Sequence, residues 1–310
     1  MKGKTWSEFY ASGRCWGIAL VLMLVLTACQ PAMAATPLPM YDTGVDPNAW
    51  VVVPAGSFLS GQFNTPINLE HAFAIMVTDV TVDQYVRFLN QALADGTLRL
   101  QGDQVVGFYP GDPFHGAKHE EEIPAQDYRF VPLNDPAAPF VYQENAFTPK
   151  AGYAHHPMTY VSWFGAWGYC HYYGYRLPSG LEWEKAARGE DGRPYPWGWE
   201  LTPANANYYS SGDPFEDMRT VGSRTTPVGF YNGKTYDGFV TLDSPSPYGL
   251  YDMAGNVWQW VGDITQGMHY RFMRGGSKDN YPPDLRVWVT NNATPVYYGP
   301  GTGFRCVREP

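Results

Sequence analysis

A glycine or proline falls about once in every five residues of this chain, 33 and 27 among 310, and that spacing limits what it can fold into. Helices meet a breaker within a few turns, and interior strands stay short. The chain is also 44% hydrophobic and 16% aromatic, with only 16% charged residues. That supplies apolar matter for one large core and too little charge for a disordered polymer. The expectation is a loop-rich α+β fold with short strands and a few helices. The formal charge is −9 and no basic run offsets it, so the surface repels phosphate backbones and nucleic acid is not expected as a partner.

The N-terminus carries its own signal. Lys2, Lys4 and Arg14 precede an apolar run from Cys15 to Ala28 that is too short to cross a bilayer as a stable helix. This is the layout of an export segment. It ends in Leu26-Thr27-Ala28-Cys29, which resembles the lipobox of bacterial lipoproteins, with Cys29 as the acylated residue. Ordinary cleavage after Ala34 and a retained anchor are the other readings. Lipidation implies an extracytoplasmic protein attached to a membrane through its lipid anchor. Gln30 rather than aspartate after the cysteine resembles an outer-membrane address, facing the periplasm or the cell surface. Residues 1–28 are thus read as signal peptide and 29–48, rich in Pro and Ala, as a flexible tether. Loss of Lys2, Lys4 and Arg14 against Glu8 takes the net charge from −9 to about −11 in the mature chain.

Residues 49–310 read as one domain, without an internal repeat. Strands are expected around 51–61 and 70–77. Thr81 with Gln84 opens a helix that lasts until Gly96, Ser162 opens a second ending at Gly174, and Ser179 with Glu182 opens a third ending at Gly189. About 98–150 reads as an irregular insertion. Of the four cysteines, Cys170 and Cys306 alone remain unassigned, as a bridge, two buried thiols or a redox pair. A bridge would close a loop of more than a hundred residues.

Five segments, in order, resemble the formylglycine-generating enzyme (sulfatase-modifying factor) family. They are VVPAGSFLSG at 52–61, HHPMTYVSWFGAWGYCHYYGYRLPSGLEWEKAARG at 155–189, YPWG at 195–198, YGLYDMAGNVWQW at 248–260, and RGGS at 274–277 with GFRC at 303–306. Each is a short turn motif, but their order and spacing over about 250 residues argue against chance. The resemblance implies a C-type-lectin-like α+β fold and a structural disulfide between Cys170 and Cys306. Family chemistry uses two cysteines, three and eight residues past the RGGS serine, to bind copper(I). Here those positions are Asn280 and Leu285, which offer no thiolate, so copper is not expected. Ser277 and Trp258 match residues that line the family's copper pocket. The resemblance also implies calcium. One site draws on Asn207, the carbonyl of Tyr208, Asp213 and the carbonyl of Phe215; the second draws on Asp252, the carbonyls of Gly255 and Val257, and Gln259.

His115, His119 and Glu121 resemble an iron-binding pattern found in sulfoxide synthases that carry a domain of this family. Gly111, Pro113 and Gly116 break any helix there, so a solvated acidic loop is expected. The stretch 278–298 places Lys278, Asp279, Asn280, Tyr281, Asn291, Asn292, Tyr297 and Tyr298 between two framework motifs, a composition suited to recognition. The reading is therefore an envelope-anchored binding or accessory protein for a peptide, glycan or protein ligand, leaning away from an enzyme. The alternative is a cysteine-independent oxidoreductase, resembling family members that modify siderophore precursors, and only there does iron enter. True formylglycine generation ranks last.

Overall fold

Helix boundaries fall where capping residues put them. Helix α1, Val82–Ala94, starts at Thr81, whose hydroxyl accepts the Gln84 N–H while the Gln84 side chain accepts the Thr81 N–H. Helix α2, Trp163–Tyr172, is capped by Ser162, and α3, Gly180–Arg188, by the reciprocal pair Ser179 and Glu182. Each cap satisfies N–H groups that a helix start leaves without partners. Gly189 ends α3 at φ 68°, where a side chain would be strained. Helix α2 buries Trp163, Phe164, Ala166 and Cys170 and is the central pillar of the main core. A Cβ at Gly168 would lie 2.2 Å from the Phe130 ring, so only glycine lets that ring approach α2.

This computed structural model describes residues 38–116, 118, 120–264 and 269–310. The expected signal peptide, Cys29 and His119 lie outside the described residues. A four-stranded sheet runs Thr290–Ala293, Arg271–Arg274, Trp258–Ile264, Thr302–Phe304, with only the last pairing parallel. A three-stranded antiparallel sheet puts Phe73–Met76 between Trp50–Val53 and the C-terminal Val307–Arg308, so both ends of the domain close on one strand. The chain is α+β, with short strands and long irregular connections.

Two expectations change. The stretch 98–150 is not irregular: it forms an antiparallel sheet of Leu98–Gln101, Gln104–Tyr109 and Gln126–Pro132, then a hairpin of Phe140–Gln143 and Ala146–Pro149. Leu98, Val105, Phe130, Val131, Phe140 and Phe147 from these strands are all buried in the main core. Residues 38–48 are likewise docked rather than free. Leu38 is buried beside Phe215 and Phe230, and the Tyr41 ring packs 5.0 Å from Tyr236. The Thr43 hydroxyl donates to the Val228 carbonyl and the Pro47 carbonyl accepts from Gln84.

Arg305 is fully buried and joins four segments. Its guanidinium donates to the carbonyls of Met76, Val77 and Tyr251 and, through Nε, to Gln259 Oε1 at 2.8 Å. The next residue, Cys306, is disulfide-bonded to Cys170 on α2, 136 residues earlier. Replacing both cysteines with alanine should lower the denaturant-derived stability by about 4–5 kcal/mol, the loop-closure value for a span of this length. Glu182 gives a second prediction. Burial alone would raise its carboxyl, but hydrogen bonds from Arg176, His71 and the Ser179 N–H outweigh burial and hold it at about 2. A depressed value stabilises the fold above the ordinary carboxylate range and is lost as pH falls toward about 2. Glu182→Gln should therefore reduce the difference between denaturation midpoints measured at pH 7 and pH 3.

Candidate functional site

The turn after strand Arg271–Arg274 is built by one amide. Asn280 Oδ1 accepts from the Ser277 N–H at 3.1 Å and from the Ser277 hydroxyl at 2.7 Å, while its Nδ2 donates to Asp284 at 3.1 Å. Its carbonyl accepts the Tyr209 N–H. Above this turn opens a cleft of about 320 Å³. Buried Trp258 and Met273, from neighbouring strands, form its apolar floor. Asp279, Asn280, Asn291, Asn292 and Tyr297 line the rest, with Ser277 and Ala293. Pro300, Gly301 and Thr302 close the far wall. A Cβ on Gly301 would sit 3.2 Å from both Ser277 Oγ and Asp279 Oδ2, so glycine there keeps these polar groups close to the backbone.

Seven of the residues singled out from the sequence thus meet in one cleft: Trp258, Ser277, Asp279, Asn280, Asn291, Asn292 and Tyr297. Lys278 does not line it; its ammonium lies 2.6 Å from Asp279 and neutralises that carboxylate. Tyr281 packs 5.1 Å from Tyr209, and Tyr298 carries the Arg129 guanidinium 4.3 Å over its ring. Leu285 is fully buried in a separate cluster with Tyr195, Tyr208 and Ala254, away from the cleft lining. The two positions expected to match the family's copper cysteines are thus a turn-closing amide and a core side chain. The cysteines among the described residues are both in the disulfide, which leaves no thiolate there. Met273, Ala293, Pro300, Gly301 and Thr302 escaped the sequence reading. Met273 faces Asn291 across the sheet, a register that only strand pairing reveals.

The two groups read as calcium ligands differ. At the first, Asn207 Nδ2 donates to the Arg224 carbonyl at 2.8 Å, which leaves Oδ1 buried without a partner. Burial pushes the Asp213 carboxyl up to about 6 against hydrogen bonds from the Phe215 N–H, Ser211 and Tyr231. An oxygen set aside and a carboxylate lacking a counter-charge are what a hard cation would use. At the second, burial pushes Asp252 up to about 6, against a hydrogen bond from the Gly229 N–H and the attraction of Arg305. There the Gln259 amide nitrogen donates to the Asp252 carbonyl at 2.7 Å, so it turns no oxygen toward the turn. Nearby Asp79 is fully buried with neither oxygen hydrogen-bonded. Its carboxyl is pushed up to about 8, burial outweighing Arg305 at 3.3 Å.

The loop holding His115 is exposed from Pro113 to Gly116 and at Lys118, Glu121 and Glu122, as expected. His115 Nδ1 lies 3.1 Å from Glu120 rather than from Glu121, and buried His269 approaches the same carboxylate. His269 Nδ1 meets Asp112, which Arg271 also holds at 2.7 and 2.8 Å. This is a clasp between the loop and strand Arg271–Arg274; among the described residues no three His, Cys, Asp or Glu side chains are arranged to hold a metal ion. His156 is buried against Thr225 and is a packing residue.

Comparison with known proteins agrees with this geometry. The sulfatase-modifying factor enzyme 1-like domain matches residues 37–310. The formylglycine-generating enzyme of Streptomyces coelicolor is 33% identical over 190 residues, 54% of this chain and 57% of that one. The inactive C-alpha-formylglycine-generating enzyme 2 of Mus musculus is 35% identical over 162 residues, 48% of each chain. This chain therefore spans about half the length of these curated relatives. The structure of PvdO from Pseudomonas aeruginosa overlays with a TM-score of 0.55 at 22% identity, covering 89% of this chain and 100% of that one, a likeness of fold. With its motifs in order and its α+β, C-type-lectin-like architecture, the chain belongs to the sulfatase-modifying factor enzyme 1-like family.

Proposed function

We propose that this protein binds a peptide, glycan or protein ligand at the cell envelope and does not generate formylglycine. The supporting observation is the cleft over Trp258 and Met273: its rim is amide and phenol, and the thiolate positions are taken by a tied Asn280 and a buried Leu285. Copper(I) needs soft sulfur ligands, and an amide with every group engaged offers none. Exposed Asn291, Asn292 and Tyr297 instead give adaptable hydrogen bonding beside a flat apolar floor, the chemistry of recognition surfaces. A relative named as inactive fits this reading.

Attachment to a membrane through acylated Cys29 belongs to the same proposal. None of the helices among the described residues is long and apolar enough to cross a membrane, and acyl chains on Cys29 would supply the attachment. Asn207 and Asp213, with the carbonyls of Tyr208 and Phe215, would hold a structural calcium ion; the buried unpartnered Asn207 Oδ1 speaks for it.

Peptide and glycan arrays probed with the full chain test the binding role. A ligand should be found whose affinity falls about tenfold, roughly 1.4 kcal/mol, in Tyr297→Ala or Asn292→Ala. A ligand indifferent to both changes would count against the cleft, and oxygen-dependent turnover of a sulfatase peptide would overturn the non-enzymatic reading. Cys29→Ser should abolish metabolic incorporation of labelled fatty acid and release the protein from the membrane fraction.

A further inference from the structure

The turn running from Asp252 to Gln259 carries the four groups implied as a second calcium site, and its one side-chain amide is committed to other partners. Gln259 Oε1 accepts from Trp183 Nε1 at 2.7 Å and from Arg305 Nε at 2.8 Å, both from fully buried side chains. An amide oxygen has two lone pairs, and both are used. Turning the amide over would set its NH2 against two N–H donors, so its orientation is fixed. Nε2 must then face the turn, where it donates to the Asp252 carbonyl at 2.7 Å. A hard cation seeks oxygen, and here it would meet an N–H. Two of the three remaining groups are engaged too. Asp252 Oδ2 accepts the Gly229 N–H at 2.6 Å, and the Gly255 carbonyl accepts the Val257 N–H at 2.8 Å. A permanent cation is also at hand, since Arg305 donates to the Tyr251 carbonyl immediately before Asp252.

We infer that this turn takes no calcium, and that the Gln259 amide and the Arg305 guanidinium tie together the segments an ion would otherwise clamp. One side chain makes the difference. A glutamate at 259 would give one oxygen to Trp183 and Arg305 and turn its other oxygen, carrying charge, toward the Asp252 carbonyl. The glutamine presents a donor there instead. This contrasts with Asn207, whose amide is oriented the other way round, with its nitrogen satisfied and its oxygen left over.

The test counts calcium ions per chain, by native mass spectrometry after calcium loading and desalting, in the full chain and two variants. Asp252→Gly suits the φ of 58° at that position and removes the carboxylate. The expected counts are the same for wild type and Asp252→Gly, and one more ion in Gln259→Glu, whose folding is checked by circular dichroism. A wild-type ion that disappears in Asp252→Gly would overturn the inference, as would a folded Gln259→Glu chain that gains none. Should Gln259→Glu not fold, the wild-type and Asp252→Gly counts decide; should Asp252→Gly not fold, Asn207→Ala takes its place, where an ion that remains would overturn the inference and a chain left with none would support it.

Discussion

The fold depends on a buried positive charge near its C-terminus. Taking a guanidinium out of water costs several kcal/mol unless its donors are met. Arg305 meets that condition only because the carbonyls of Met76, Val77 and Tyr251 and the side chain of Gln259 converge on it from three separate segments. Strand Thr302–Phe304 pairs with the floor strand of the cleft just before it, and Val307–Arg308 pairs with Phe73–Met76 just after. Any rearrangement that moved one segment would strand a charge in the core. The disulfide at Cys306 adds a covalent tie to α2 at the same point. Loop-rich as it is, the domain has at Arg305 a knot of interactions that fixes the register of these segments.

The cleft inherits its rigidity from this arrangement. Trp258 and Met273 sit on paired strands anchored next to Arg305, and the Ser277–Asn280 turn is closed by its own amide. Under the proposed binding role, the groups lining the cleft would project from a frame that does not need to reorganise, which would lower the entropy cost of binding. The family scaffold is kept, and the two positions expected to match its copper cysteines hold Asn280 and Leu285. Neither Asn280 nor Leu285 disturbs the frame; each has become part of it.

Helix starts were legible because their cause is local: a hydroxyl followed three residues later by Gln or Glu states its own partner, as at Thr81 and Ser179. The strands between 98 and 149 were hidden because Pro, Asp and Gly crowd their connections, while the buried alternation of Val105, Phe130 and Val131 is short in each piece. Much of the cleft could be read from two flanking motifs, but its depth could not. Leu285 lies five residues past Asn280, across the 3-10 turn Pro282–Leu285, and sequence offset does not tell which way such a turn points. The His269–Asp112 contact joins residues 157 apart and left no local trace.

The docking of residues 38–48 has a mechanical consequence. Read as a free linker, the chain from Cys29 to residue 48 would let the domain roam about 65 Å from its lipid. With Leu38 already seated against Phe215 and Phe230, eight residues, nine Cα-to-Cα steps, remain between that point and Cys29. Fully extended, they span only about 30 Å. An acylated chain would thus be a short-leashed one, holding its domain against the headgroup layer and restricting it to ligands that come within a domain's width of the bilayer.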